Sequence, residues 1–367
     1  MNDLRPLEAI KYYYGQVLGG TKDILTSACC NAEAMPPHIR PLLAEIHPEV
    51  KDRFYGCGSP FPPALEGRTV LDLGSGAGRD VYLMSRLVGP AGRVIGIDMT
   101  DEQLEVARRH IDFHTQAFGY QSPNVEFRTG YIEDLSTAGI ADESVDLVVS
   151  NCVMNLSPDK PRAFRELFRV LKPGGELYFS DVYVDRRLDP ALRDDPVLLG
   201  ECLAGAMYRE DFRRLMADLG CHDFRIISST PITVGNPELE ARLGTANFQS
   251  TTIRAFKLAL EDRCEDYGQV AWYRGGIPGH AHAFVLDDHH RFELHRPMLV
   301  CGNTADMLSQ TRYAPFFEVR GDKRVHLGAF DCSTPQATPP AAGESAVLSL
   351  PPVPAAAGAC VPGSGCC

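Results

Sequence analysis

From Thr69 to Asp80 the chain reads TVLDLGSGAGRD, and this run constrains the fold more than any other stretch. A short apolar segment, too brief for a stable helix, passes through glycines 74, 76 and 78 into residues with helical spacing. Glycines at such a turn permit positive φ and let a ligand come close to the backbone. The unit is a strand, a tight loop and a helix. Further apolar runs at Arg93–Asp98, Val125–Arg128, Val145–Asn151 and Glu176–Val184 alternate with helical patterns. That alternation predicts an α/β fold built on a parallel sheet. Thr100 and Gln103 are spaced as a capping box for the helix that follows Asp98, with Leu104, Ala107 and Ile111 as its apolar stripe. Phe164, Leu167, Phe168 and Leu171 form a second stripe, stopped by Lys172-Pro173-Gly174-Gly175.

The loop also limits the ligand. Asp98 closes the second strand, where a carboxylate accepts hydrogen bonds from ribose hydroxyls, so a nucleoside is expected across two adjacent strand ends. A dinucleotide fingerprint requires a third glycine where Arg79 stands. Asp72, just ahead of the loop, would repel a pyrophosphate but suits the α-ammonium of a methionine moiety. Glu133 and Asp134 follow the third strand, on the adenine side, and Asn151 ends the fourth. A glycine triplet alone marks only a tight turn; with Asp72 and Asp98 it points to S-adenosylmethionine rather than NAD. The candidate cofactor residues are Asp72, Gly74, Ser75, Gly76, Asp98, Met99, Gln103, Ile132, Glu133 and Asn151. The fold class expected is a class I, Rossmann-like S-adenosylmethionine-dependent methyltransferase sheet.

A net charge of −12, from 48 acidic and 36 basic residues, argues against a nucleic-acid backbone as main partner. The N-terminus lacks the basic start and apolar run of a secretory signal, and no stretch reaches the roughly 18 apolar residues of a membrane span. A cytosolic protein is therefore expected, and its 12 cysteines should be thiols rather than a disulfide framework.

Twelve exceeds what packing requires. By default a single cysteine is a small buried hydrophobe, and Cys221, Cys264, Cys301 and Cys332 keep that default. Cys29, Cys57, Cys152 and Cys202 stand at more telling places: before the sheet, at the carboxyl end of the fourth strand, and in the insertion after the fifth. No C-x-x-C or finger-type Cys/His pairing suggests zinc. A thiol beside a sulfonium methyl donor risks its own methylation unless it has a task. Soft thiolates select soft ions, among which trivalent arsenic is a natural candidate.

Over about residues 10–330 the chain resembles the arsenite methyltransferases. The resemblance rests on Tyr13-Tyr14-Gly15, Ser27-Ala28-Cys29, Tyr55-Gly56-Cys57-Gly58, Leu71-Asp72-Leu73-Gly74-Ser75-Gly76, Gly96-Ile97-Asp98-Met99-Thr100 and Gly130-Tyr131-Ile132-Glu133. It continues through Ser150-Asn151-Cys152-Val153, Phe179-Ser180-Asp181-Val182-Tyr183 and Gly200-Glu201-Cys202-Leu203. It implies methyl transfer from S-adenosylmethionine to arsenite and methylarsenite presented as thiol conjugates. Arsenic would be held by Cys152 and Cys202, with Cys57 the third ligand and Cys29 the relay thiol. Cys30 is adjacent, and Cys29 takes the role by its distance from Cys57. A Cys29–Cys57 disulfide would form after turnover and be reset by glutathione or thioredoxin. Tyr55 would line the arsenical pocket. The tail cysteines Cys360, Cys366 and Cys367 match only some relatives.

The organisation expected is a helical segment over 1–50, the methyltransferase domain over 51–185, an arsenic-binding insertion and the end of the sheet over 186–264, a small antiparallel region over 265–332, and a Pro-, Ala- and Gly-rich disordered tail over 333–367. A monomer without nucleic-acid or membrane partners is expected. Two other readings share parts of the pattern: a methyltransferase of an organic small molecule, and a thiol protein that binds arsenic without methylating it.

Overall fold

Each apolar run becomes a strand because helices cover it from both sides. In the computed structural model, which describes residues 5–20, 23–26 and 35–332, β1 (Thr69–Leu73), β2 (Arg93–Asp98), β3 (Val125–Thr129), β4 (Val145–Asn151) and β5 (Leu171–Val184) lie parallel in the order β3-β2-β1-β4-β5. β6 (Met207–Tyr208) pairs with the end of β5, while β8 (Phe248–Phe256) lies antiparallel to both β5 and β7 (Phe224–Ile232). The eight-stranded sheet is thus mixed, a parallel core with an antiparallel edge. The expectations for Cys29, Cys30 and the tail cysteines fall outside the described residues.

The helices are α1 (Arg5–Tyr12), α2 (Pro48–Asp52), α3 (Arg79–Val88), α4 (Asp101–Arg109), α5 (Ile111–Ala117), α6 (Lys160–Val170), α7 (Pro196–Gly200), α8 (Arg209–Asp218) and α9 (Pro237–Leu243). One face of the sheet, carrying Val70, Val94 and Val149, packs on Val81 and Met84 of α3 and on Leu104 and Ala107 of α4. The other, with Leu71, Ile95, Val148 and Phe179, packs on Phe164 and Leu167 of α6 and on Phe212 and Met216 of α8. Each large apolar side chain buried this way contributes about 1.5–3 kcal/mol.

Two local expectations need correction. Thr100 is the N-cap of α4 but makes no capping hydrogen bond through its side chain. Gln103 sends its Nε2 to the Tyr14 carbonyl at 2.9 Å instead, so the pair tethers the N-terminal segment rather than closing a box. Leu171 belongs to β5, not to the helix, because α6 ends at Val170. Residues 172–175 form a bulge between the Val145↔Leu171 and Leu147↔Glu176 pairings.

The expected antiparallel region follows: β9 (Glu265–Asp266), β10 (Gln269–Tyr273), β11 (Ala283–Val285), β12 (Arg291–Glu293), β13 (Pro297–Val300), α10 (Gly302–Ser309), β14 (Phe317–Arg320) and β15 (Gly328–Ala329). A buried charge network fastens it to the main sheet. Glu176 of β5, fully buried, pairs with Arg254 at 2.6 Å and with Arg312, and Tyr313 donates its hydroxyl to the same carboxylate at 3.1 Å. Removing one partner of such a network costs about 3–5 kcal/mol, because the others stay buried and charged. The described residues accordingly form one compact unit. Among the described residues, no helix is long and apolar enough to cross a membrane.

His114 gives this core an acid-sensitive point. It stacks on Tyr82 with ring centroids 3.6 Å apart, and its Nε2 accepts from the His47 N–H at 3.1 Å. Burial lowers its pKa from 6.5 to about 4. The unfolded chain therefore binds a proton that the folded chain refuses, so this contribution to stability is lost as pH falls from about 6.5 through about 4. His114→Gln is expected to remove at most about 1.4 kcal/mol per pH unit of slope in that window. Urea midpoints across the window check it, and an unchanged slope would assign the acid sensitivity elsewhere.

Candidate active site

The carboxyl ends of β1, β2 and β4 open into a cleft. All ten residues read from sequence as cofactor candidates line it: Asp72, Gly74, Ser75, Gly76, Asp98, Met99, Gln103, Ile132, Glu133 and Asn151. The loop turns with positive φ at Gly74 (64°) and Gly76 (51°). Asp98 accepts from the Gly76 N–H and the Thr100 N–H, each at 2.8 Å, which pins the loop to the end of β2.

The electrostatics of the cleft favour a cation. Burial first, then the carboxylates of Asp80 and Asp98, push Asp72 well above the usual carboxylate range, with Arg79 a partial offset. Burial also raises Asp98. Arg79 is itself paired with Asp80 at 2.6 Å and lies over the Phe54 ring. A positively charged ligand would relieve this excess of buried acid. Two buried polar atoms in the lining, Ser75 Oγ and Gln103 Oε1, have no protein partner among the described residues. Such atoms are costly unless a ligand satisfies them. Acid excess and unmatched polar atoms both fit an aminoacyl nucleoside with a cationic centre.

Asn151 has a second task that its sequence position did not announce. Its Nδ2 donates to the Gly58 carbonyl at 2.9 Å and to Asp80 at 3.2 Å, and its Oδ1 accepts from the Gly58 N–H at 3.0 Å. The amide thereby clamps the Cys57 loop onto β4. Contact is so close that a Cβ on Gly58 would lie 2.4 Å from Ser180 Oγ.

Cys57, Cys152 and Cys202 belong to one buried cluster with Val182, Leu198, Leu203 and Phe248. Cys57 and Cys152 are joined as a disulfide. The pairing in this structure is therefore Cys57 with Cys152, whereas the resemblance implied Cys57 with Cys29, which lies outside the described residues. The Cys202 Sγ donates to the Cys152 carbonyl at 3.0 Å. Cys152 and Cys202 both hold left-handed backbone, with φ of 61° and 64°. Each such residue costs on the order of 1–3 kcal/mol, and strain of this kind concentrates at functional sites. Cys152 also lines the cleft, so one side chain stands in both the thiol cluster and the glycine-loop site.

Asp181 joins the thiols although the sequence does not single it out. Its carboxylate lies within 4.8 Å of the Cys57 and Cys152 sulfurs. It accepts from the Asn155 N–H at 3.1 Å and the Asn155 Nδ2 at 2.7 Å, and burial raises its pKa from 3.8 to about 7. An acid within the apolar run of β5 was the available signal. Lys160, half-buried nearby, donates to the carbonyls of Asn155 and Ser157 at 3.0 Å and is lowered to about 8 by desolvation.

The N-terminal segment bridges the two halves of the site. Leu7, Ile10 and Tyr14 line the cleft beside Tyr55, whose ring meets that of Tyr14 edge-on at 5.5 Å. The Tyr14 hydroxyl donates to the Gly200 carbonyl at 2.6 Å, and Tyr13 donates to Glu201 at 3.3 Å, two contacts that reach the loop before Cys202.

The family described as a methyltransferase domain matches residues 65–220, and that described as the arsenite methyltransferase C-terminal domain matches residues 266–367. A curated arsenite methyltransferase of Aquipseudomonas alcaligenes is 55% identical over 325 residues, 88% of this chain and 93% of its own. The human arsenite methyltransferase is 44% identical over 324 residues, 87% of this chain and 85% of its own. The crystal structure of an arsenic(III) S-adenosylmethionine methyltransferase from Chlamydomonas reinhardtii superposes with a TM-score of 0.78 at 53% identity, covering 81% of this chain and all of that one.

Proposed function

This chain belongs to the arsenite methyltransferase family, and on that premise we propose how its own residues carry methyl groups from S-adenosylmethionine to trivalent arsenic. The observation that carries the reading is Cys152, shared between the thiol cluster and the cleft. When bound, S-adenosylmethionine supplies a methyl carbon activated by its sulfonium. Asp72 would face the α-ammonium, Asp98 the ribose hydroxyls, and Met99, Ile132 and Glu133 the adenine, while the backbone of Gly74, Ser75 and Gly76 lets the chain approach closely. Gln103 would hold the N-terminal segment over the ligand through Tyr14.

Cys57, Cys152 and Cys202 take the arsenic. Arsenous acid exchanges three As–O bonds for three As–S bonds, and each thiol proton leaves on a hydroxide as water. Thiolate donation leaves the arsenic lone pair as the nucleophile, and since arsenic carries no proton, no general base is required. Burial of the three thiols keeps water out, which favours a step in which the donor loses its charge. Alignment of the reacting atoms by a rigid site supplies several kcal/mol of the barrier.

Methyl transfer raises arsenic to the pentavalent state, and two thiolates return two electrons by forming a disulfide. With Cys57 bonded to Cys152, two of the three ligands are withdrawn, so a reductant must act before arsenic binds. Cys29 thiolate can attack the Cys57 sulfur, which frees Cys152 and leaves Cys29–Cys57 for glutathione or thioredoxin to reduce.

Incubation with S-adenosylmethionine, arsenite and either reductant, followed by chromatographic separation of arsenicals, tests the scheme. Methylated products are expected only when all components are present. Cys29→Ser is expected to slow the first methylation more than the second, because methylarsenite already carries one carbon and needs fewer thiols. Equal loss on both substrates would remove the relay role. Arsenite retained without any methylated product would return the chain to sequestration.

A further inference from the structure

Three cysteines separated widely in sequence meet in the C-terminal region. β15 pairs antiparallel with β9, Gly328 opposite Asp266 and Ala329 opposite Glu265, and the Phe330 N–H donates to the Cys264 carbonyl at 2.8 Å. This short ladder brings Cys332 alongside Cys264. Cys301 caps α10, its Sγ accepting from the Thr304 N–H at 3.4 Å and lying 3.2 Å from Thr304 Oγ1. The three sulfurs all lie within 4.8 Å of one another, with Cys301 buried and the other two half-buried. All three are free thiols. Among the described residues, no His, Asp or Glu joins them at that distance.

We propose that Cys264, Cys301 and Cys332 form a second site for a trivalent arsenical, distinct from the thiols of the cleft. The donor number fits: As(III) takes three thiolates in a pyramid and keeps its lone pair, whereas a structural zinc ion takes four ligands. Charge agrees as well. Arg225 Nη2 lies 3.9 Å from Cys301 Sγ, but its charge is already matched by Asp223 at 2.6 Å and Asp287 at 3.0 Å. A tris-thiolate of zinc would add a negative charge beside two carboxylates. A tris-thiolate of As(III) is neutral, the species that burial tolerates.

Loading balances without a redox change. Arsenous acid plus three thiols gives one As(S-Cys)₃ centre and three waters, with arsenic trivalent throughout. The occupied site would tie the ends of β9 and β15 to the start of α10, joining three segments through one atom.

The test uses the full chain with Cys29, Cys30, Cys57, Cys152, Cys202, Cys360, Cys366 and Cys367 changed to Ser. Reduced by a phosphine, incubated with arsenite and desalted, it should retain one arsenic per chain by elemental mass spectrometry. Adding Cys301→Ser should weaken retention on the order of 10²-fold, since three tethered ligands become two. Retention indifferent to Cys301→Ser, or no retention at all, would overturn the proposal. Should the multiple variant fail to fold, the wild-type chain decides: arsenite should shield Cys264, Cys301 and Cys332 together from alkylation by a maleimide, read by peptide mass spectrometry. Unshielded labelling of that trio would also overturn it. Because the first variant lacks the thiols of the cleft, failure of the methylation scheme and failure of this site are read separately.

Discussion

Cys202→Ser is expected to abolish methylation of arsenite and methylarsenite alike, with losses on the order of 10²-fold or more, as for a reacting atom displaced by an ångström, while the fold stays intact. Cys202 is completely buried, and its thiol donates to the Cys152 carbonyl. A serine hydroxyl can make the same hydrogen bond in nearly the same volume, so no buried acceptor is stranded. What serine cannot do is hold a soft trivalent metalloid. Cys152→Ser should behave alike on both substrates and in addition free Cys57 from its disulfide. Initial rates on each arsenical, beside thermal melts and calorimetric binding of S-adenosylmethionine, separate the effects. Normal turnover of methylarsenite by Cys202→Ser would remove Cys202 from the ligand set.

The cleft that the cofactor candidates line was legible because its pattern is local. Asp72, the glycines and Asp98 sit at strand ends that periodicity alone locates, and β1, β2 and β4 fall where the apolar runs do. The thiol half was only partly legible. Spacing named the cysteines but did not say that Cys57 and Cys152 would bond, since the Cys57 loop reaches β4 through an Asn151 clamp that no pattern encodes. Gln103 went astray for a related reason: its tertiary partner, the Tyr14 carbonyl, outcompeted the local capping site. Cys264, Cys301 and Cys332 read in the sequence as packing residues. The ladder that gathers them is two residues per strand, below what alternation can reveal.

Gly74→Ala is expected to cost S-adenosylmethionine affinity far more than Gly76→Ala, although both glycines hold positive φ. At Gly76 nothing lies within 4 Å of an added Cβ, so alanine meets only the backbone penalty of about 1–2 kcal/mol, or roughly tenfold. At Gly74 the same Cβ would sit 2.3 Å from Val153 Cγ2 and 2.8 Å from Cγ1. Both methyls belong to one short, β-branched side chain that cannot swing aside, so the loop or Val153 must move. Val153 adjoins Cys152, whose backbone is already left-handed, so the displacement reaches the proposed arsenic ligand as well. Gly74→Ala should therefore lose on the order of 10²-fold in affinity and a further share of turnover. Adding Val153→Ala should restore part of the affinity, because it removes the two nearest atoms and leaves the Cβ of residue 153, 3.1 Å from the new methyl. Calorimetric titration of the three variants decides the matter. Equal losses at the two glycines, or no recovery in the double variant, would mean that the loop does not owe its position to the contact with Val153.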